Sequence, residues 1–247
     1  MKIGFLTLEY PHPNTGSSGG IGTSILNLSK GLVALGHEVS IIVFGQAQDV
    51  IFKENGITFY CIQNVKLKGL SIFLTQIKVE KVINKLIKEN KIEIIEAHDW
   101  SGISAFVNPN CPLVIRLNGT DTYFCHLENR PVKWKNKFLE NRALKKANGI
   151  ISVSNFTAAV TKKLFHLKTP IEVIPNAIDT HQFETVSETK NSETILYFGT
   201  LIRKKGLLEL PLIFNEVFKN RPTTKLLLVG KDASDIATNS QSTWQLM

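Results

Sequence analysis

Apolar runs of strand length alternate along this chain with longer segments of helical period. Lys2–Leu8, His37–Phe44, Ile57–Ile62, Ile92–Ala97, Pro112–Leu117, Gly149–Val153 and Ile171–Ile174 are rich in Ile and Val, which predicts buried strands. Between them, Gly20–Leu35, Ile72–Asn90, Lys133–Ala147 and Phe156–Phe165 read as helices. In the second of these Val79, Val82, Ile83, Leu86 and Ile87 fall on one face. Strand–helix–strand repetition predicts an α/β fold, a parallel sheet covered by helices, with the loops that follow the strands gathered at one edge.

The pattern then restarts. Residues 179–193 are polar and without period, as a linker is, and separate a first domain, 1–178, from a second, 194–247. The second holds one β-α-β unit: a strand at Thr194–Phe198, a helix at Leu207–Lys219 and a strand at Lys225–Val229. An independent α/β domain takes roughly 100–150 residues, so this second unit is expected to be incomplete.

Composition narrows the class. Hydrophobic residues make up 43% of the 247 and charged residues 20%, the balance of a globular rather than a disordered chain. The formal net charge of +8 suits acidic partners, among them sugar-nucleotide phosphates, anionic lipid and nucleic acid. Cys61, Cys111 and Cys125 are odd in number and form no C-x-x-C pair, which argues against a disulfide framework and a structural zinc site. The N-terminal apolar run is too short for a signal peptide, and no stretch nears the ~18 apolar residues of a spanning helix. The expected location is cytoplasmic, with a peripheral place at the inner membrane face as the alternative.

Candidate chemistry lies just after the strands. Gly16–Gly22, after the first, lets backbone approach a ligand at a helix N-terminus and suits a phosphate or a sugar hydroxyl; an ordinary flexible loop is the alternative. It is not the dinucleotide fingerprint, because Gly20-Ile21-Gly22-Thr23-Ser24-Ile25 lacks the third small residue and no acid ends the second strand at Val43–Gln46. His98-Asp99 follows the fourth predicted strand; His98 is a candidate to donate to a sugar hydroxyl, and Asp99 either joins it or caps the next helix. Gly119 supports a turn that would aim Asn118 and Asp121 into the same cleft, with a plain capped turn as the alternative. Gly199-Thr200-Leu201-Ile202-Arg203-Lys204-Lys205-Gly206 puts three cations at a strand–helix junction, a strong site for a diphosphate. Arg130–Lys146 carries seven cations against Glu140 alone, with Trp134, Phe138 and Leu139 on an apolar side; it fits either a solvated face or contact with anionic lipid. Nucleic-acid binding has no motif here, since the aromatics are not interleaved with the cations.

Taken in order, Gly16–Gly22, His98-Asp99-Trp100, Ser152–Thr157, Pro175–Asp179 and Gly199–Gly206 resemble the family-4-type retaining glycosyltransferases of GT-B fold. The resemblance implies two Rossmann-like domains, the first mainly for the acceptor and the second for the nucleotide-sugar donor. It implies that Gly19, Gly20 and Gly22 approach the donor phosphates and that His98 lies beside the donor sugar. Lys205 matches the lysine of the family's G-R-L-x-x-x-K-G pattern and would neutralise the diphosphate, with Gly199, Thr200 and Lys204 around it. The pattern's arginine is Thr200 in this chain, so Arg203 or Lys204 would supply the second cation. No cofactor and no metal would be required. Partners would be the nucleotide-sugar and a glycan or lipid-linked acceptor, and no nucleic acid. The family's E-x₇-E signature would lie well beyond Gly230, so the expectation is a truncated chain with little or no transferase activity alone. The alternative is a non-catalytic acceptor- or partner-binding module; a GT-B epimerase fits the Gly199–Gly206 pattern less well.

Overall fold

The buried strands form because their apolar residues alternate between two helix-covered faces. In the computed structural model, which describes residues 1–16, 18–180, 193–235 and 237–247, the chain divides into two units, Met1–Phe183 and Glu184–Met247. The first contains β1 (Lys2–Thr7), α1 (Gly20–Ala34), β2 (Glu38–Gln46), β3 (Val50–Glu54), β4 (Ile57–Gln63), α2 (Ser71–Lys88), β5 (Ile94–His98), β6 (Leu113–Leu117), α3 (Asp121–Leu127), α4 (Trp134–Lys146), β7 (Gly149–Ser152), α5 (Asn155–Phe165) and β8 (Ile171–Val173). Its strands make one sheet in the order β3-β4-β2-β1-β5-β6-β7-β8. All neighbours run parallel except β3 and β4. The mostly parallel Rossmann-like sheet expected from the sequence is therefore present.

Odd positions of β2, Val39, Ile41 and Val43, pack with Phe5, Tyr10 and Ile25 of the α1 side. Even positions, Ile42 and Phe44, pack with Leu6 and with Val79, Ile83 and Leu86 of α2. A third cluster joins Ile115, Leu117 and Ile150 to Leu139, Ala143 and Leu144 of α4 and to Phe165. Each such side chain contributes roughly 1.5–3 kcal/mol when fully buried.

Two elements were not foreseen. β3 pairs antiparallel with β4 through a turn whose central residues, Asn55 and Gly56, both have positive φ (50° and 78°). Asn-Gly is the strongest short-range hairpin signal, so that strand was legible. α3 starts where Thr120 accepts a hydrogen bond from Tyr123 N, an N-cap within a segment read only as a turn.

The second unit consists of a parallel pair, β9 (Thr194–Phe198) and β10 (Lys225–Val229), with α6 (Leu210–Asn220). α6 begins three residues later than its apolar pattern suggests. Gly206 takes a left-handed conformation (φ 81°) after a 3-10 turn at Arg203–Lys205, and Pro211 sets the first turn of the helix. Leu207 is fully buried, but Leu196, Phe198, Leu212, Ile213, Leu227 and Val229 are exposed. Of the polar stretch 179–193, residues 181–192 lie outside the described residues.

Gly102 marks the closest approach of a glycine to the backbone of another element in the first unit. Its φ is +59°, and a Cβ there would meet Leu139 C at 2.3 Å and Glu140 N at 2.6 Å, both backbone atoms of α4. Gly102→Ala is expected to lower stability by more than about 3 kcal/mol, measured by urea denaturation. Gly31→Ala, in α1 with nothing within 4 Å of the added carbon, should instead raise it by about 0.5–1 kcal/mol.

Candidate functional site

The loops after β1, β5 and β6 lie beyond the carboxyl ends of the central strands, where open α/β sheets bind ligands. β5 runs one residue further than its sequence pattern suggests and ends on His98, which pairs with Arg116 of β6. His98 is therefore held inside the sheet edge, 4% exposed. Neither Nδ1 nor Nε2 has a hydrogen-bond partner among the described residues. Burial lowers its pKa from the ordinary 6.5 to about 4, so the ring is neutral, with one N–H to donate and one nitrogen to accept.

Asp99 does not cap the turn that follows it. The 3-10 turn Trp100–Gly102 has no side-chain cap bond; the Asp99 carboxylate instead accepts from Asn118 N and Gly119 N, both at 3.0 Å. Burial pushes its pKa from 3.8 up to about 7, against the lowering effect of those two N–H groups. The loops after β5 and β6 are thus tied together beside His98. Below them, Glu96 and Arg116 form a buried bidentate pair (2.7 and 3.2 Å), and Arg116 also donates to Ile174 O. Neither residue was singled out for this role, although charged residues inside otherwise apolar strands are a readable signal.

Asp121 is turned inward. Its carboxylate accepts from Asn136 Nδ2 (2.9 Å) and Arg130 (3.2 Å), and its own N–H donates to Glu140. Of the pair Asn118 and Asp121 expected to reach into one cleft, Asp121 is engaged instead in anchoring α3 to α4. Asn118 remains at the loop, its Nδ2 donating to Arg116 O.

The glycine loop departs from expectation in an informative way. Gly19 N and Gly22 N both donate to the carboxylate of Glu9, at 3.1 and 2.9 Å. The N–H groups expected to face donor phosphates are already bonded to an anion of the chain itself. Gly22 is closely packed: a Cβ there would meet Ser18 Oγ at 2.0 Å and Glu9 O at 3.1 Å. Gly20 stays exposed with open space around it.

In the second unit the cation run lies in the turn before α6 rather than at its N-terminus. Arg203 Nε donates to Asp235 Oδ1 (3.1 Å), so its charge is compensated within the unit. Lys205 folds back over Gly199, where a Cβ would sit 3.2 Å from Nζ. Gly199 (φ +134°) and Gly230 also approach closely. Thr200 is exposed and its carbonyl accepts from Tyr197 OH (2.9 Å), and Lys204 is exposed beside it.

The neutral His98 gives the first unit a defined acid sensitivity. The folded ring binds a proton less tightly than an unfolded histidine, so its contribution to stability is present above pH 6.5 and is lost as pH falls toward 4. Asp99 acts in the opposite sense: its contribution is present below pH 3.8 and is lost as pH rises through about 7. Comparing wild type with His98→Gln isolates the first effect. Between pH 7 and 4 the wild type should lose about 3 kcal/mol relative to the variant, read from urea midpoints; parallel pH profiles would contradict a buried neutral His98.

Comparison with known proteins places this arrangement. The chain is 25% identical over 243 residues to the alpha-monoglucosyldiacylglycerol synthase of Acholeplasma laidlawii, covering 85% of this chain and 59% of that protein. It is 24% identical to the phosphatidylinositol N-acetylglucosaminyltransferase gpi3 subunit of Schizosaccharomyces pombe, covering 92% and 50% respectively. The chain thus spans about half to three fifths of the length of these relatives. Among solved structures, the sucrose-phosphate synthase of Thermosynechococcus elongatus superposes with a TM-score of 0.70 at 17% identity, over 99% of this chain and 65% of the other. Anabaena HepE, in complex with UDP and glucose, superposes with a TM-score of 0.62 at 18% identity, over 94% and 61%. These likenesses show the GT-B fold. The family pattern of Glycosyltransferase Family 4 matches residues 18–182, two thirds of the sequence, and the chain belongs to that family.

Proposed function

We propose that this chain is the acceptor-side domain and the beginning of the donor-side domain of a retaining glycosyltransferase, which moves a hexose from a nucleotide-sugar to a glycan or lipid-linked acceptor. The observation that carries the reading is His98: buried, neutral, and with both ring nitrogens unpartnered at a sheet edge otherwise rich in hydrogen bonds. A buried polar group without a partner costs roughly 1–3 kcal/mol, and a sugar hydroxyl would satisfy it. Lys205, over Gly199, would neutralise the donor diphosphate, with Thr200 and Lys204 beside it. Arg203 is the weaker candidate, because Asp235 already compensates it. No metal enters this reading.

Peripheral contact with the inner membrane face belongs to the same proposal. Trp134 is 80% exposed and Phe138 is half exposed, among exposed Lys133, Lys135, Lys137 and Lys145. Arg130, Arg142 and Lys146 do not add to this patch: their side chains bond inward, to Asp121 and Glu128, to Ala105 O, and to Val107 O and Asn108. Among the described residues no helix is long and apolar enough to cross a membrane.

A second reading, a non-catalytic acceptor- or partner-binding module, is favoured by the internal use of the expected anion-binding groups, Glu9 on the glycine loop and Asp235 on Arg203. Titration calorimetry with uridine diphosphate and guanosine diphosphate separates the two. Binding of either, weakened roughly 10- to 100-fold by Lys205→Gln, is expected of a donor site. Binding of neither would remove the donor role from this chain and leave the module.

A further inference from the structure

We infer that the acceptor is a membrane lipid, taken from an anionic bilayer on which the segment Lys66–Phe73 rests, with the lipid's acyl portion entering a cavity beside that segment. The identity of the acceptor rests on the transferase reading above; the lipid docking itself does not.

The cavity, ≈ 200 Å³, opens at the carboxyl edge of the first unit, between α2 and the loop that follows β5, where Ser101 and Ile103 line it. Leu8 after β1, Phe44 of β2, Ile72 of α2 and Ile103 after β5 form its apolar wall. Most of the polar groups around it are already bonded within the fold. Thr75 Oγ1 accepts from Val65 N, Ser71 Oγ from Leu67 N, and Gln76 is held at both ends, by Gly102 O and Phe106 N. The side chains of Asn64 and Ser101 have no hydrogen bond among the described residues. What remains is a hydrocarbon wall with two polar side chains, Asn64 after β4 and Ser101 after β5. That is complementary to an acyl chain ending in an ester or hydroxyl and poorly matched to a free sugar, which would need polar partners all round.

The surface beside the mouth points to where such a molecule comes from. Leu67 and Leu70 are half exposed, and Ile72 and Phe73 about two fifths. Lys66 and Lys68 alternate with them and are exposed. The sequence has no Asp or Glu from residue 55 to 79, and the one further cation there, Lys78, is neutralised by Asp49 at 2.7 Å. Uncompensated lysines interleaved with exposed leucines match an interface in which anionic head groups lie above hydrocarbon: the apolar tips enter and the ammonium groups stay at the phosphates. Phe73 stacks edge-on against Phe106 (5.0 Å), and Arg142 of α4 lies 5.0 Å from the other ring, so the segment is braced on the helix layer and not free to fold back.

Co-sedimentation of the chain with phosphatidylcholine vesicles, with and without phosphatidylserine, tests the docking. Binding is expected to need the anionic lipid. Lys66→Gln with Lys68→Gln should weaken it roughly 25-fold, about 5-fold per lysine. Leu67→Ser with Leu70→Ser, both on the exposed loop, should weaken it at least about 10-fold without changing thermal unfolding. Leu8→Trp, which fills the cavity from outside the docking segment, should retain vesicle binding but abolish saturable uptake of a fluorescent short-chain lysophospholipid below its micelle concentration. The inference is overturned if wild type ignores the vesicles, if binding is lost only through Trp134→Ser with Phe138→Ser, or if Leu8→Trp takes up the probe as wild type does. Nucleoside diphosphate binding is scored separately: its absence together with vesicle binding defeats the transferase reading alone, and its presence without vesicle binding defeats the lipid acceptor alone.

Discussion

Where parallel strands hand over to helices, backbone N–H groups gather without strand partners, and in the first unit three carboxylates take them up. Glu9 receives Gly19 N and Gly22 N, Asp99 receives Asn118 N and Gly119 N, and Glu140 receives Asp121 N and Thr122 N. Each carboxylate closes a different loop, and together they fix the carboxyl edge. A buried N–H left unpaired is costly, and a carboxylate bonded to two of them is held in place by the same economy. Asp99 and Glu140 are fully buried in consequence, and burial raises the pKa of both.

This arrangement places His98. The loop after β5 is tied to the loop after β6 by Asp99, and Gly102 lets α4 lie directly on its backbone. The ring between them is sealed from solvent with its nitrogens unspent. A neutral imidazole suits recognition of a hydroxyl better than neutralisation of a phosphate. In the proposed reaction the anionic work therefore falls to the second unit, where Lys205 is the cation of the expected run that folds over a glycine. The glycine loop of the first unit, carrying Glu9 already, would meet an incoming phosphate with a competitor in place. Its first contribution is structural: it seats α1.

Much of this was legible in the amino-acid sequence. The strands formed where Ile and Val runs placed them, to within a residue or two, and α2 buried the face that Val79, Ile83 and Leu86 defined. The β3–β4 hairpin could have been read from Asn55-Gly56, and α3 from the cap at Thr120. The start of α6 was misjudged because apolar spacing continues through Leu207–Glu209 while Gly206 and Pro211 set the boundary by backbone geometry.

Local pattern and ordered motifs were enough to determine the fold class and the family, because burial of periodic apolar faces and the glycines of the loops act over a few residues. Which groups are free to meet a ligand was decided only by tertiary structure. Asp121, Arg203 and the Gly19 and Gly22 amides all look available in the sequence, and each is taken by a partner 10 to 32 positions away. His98 looks like any histidine, and only the packing of the sheet edge shows it buried and unpaired. Hydrogen-bond saturation and desolvation depend on contacts between distant segments, so neither can be read from spacing along the chain.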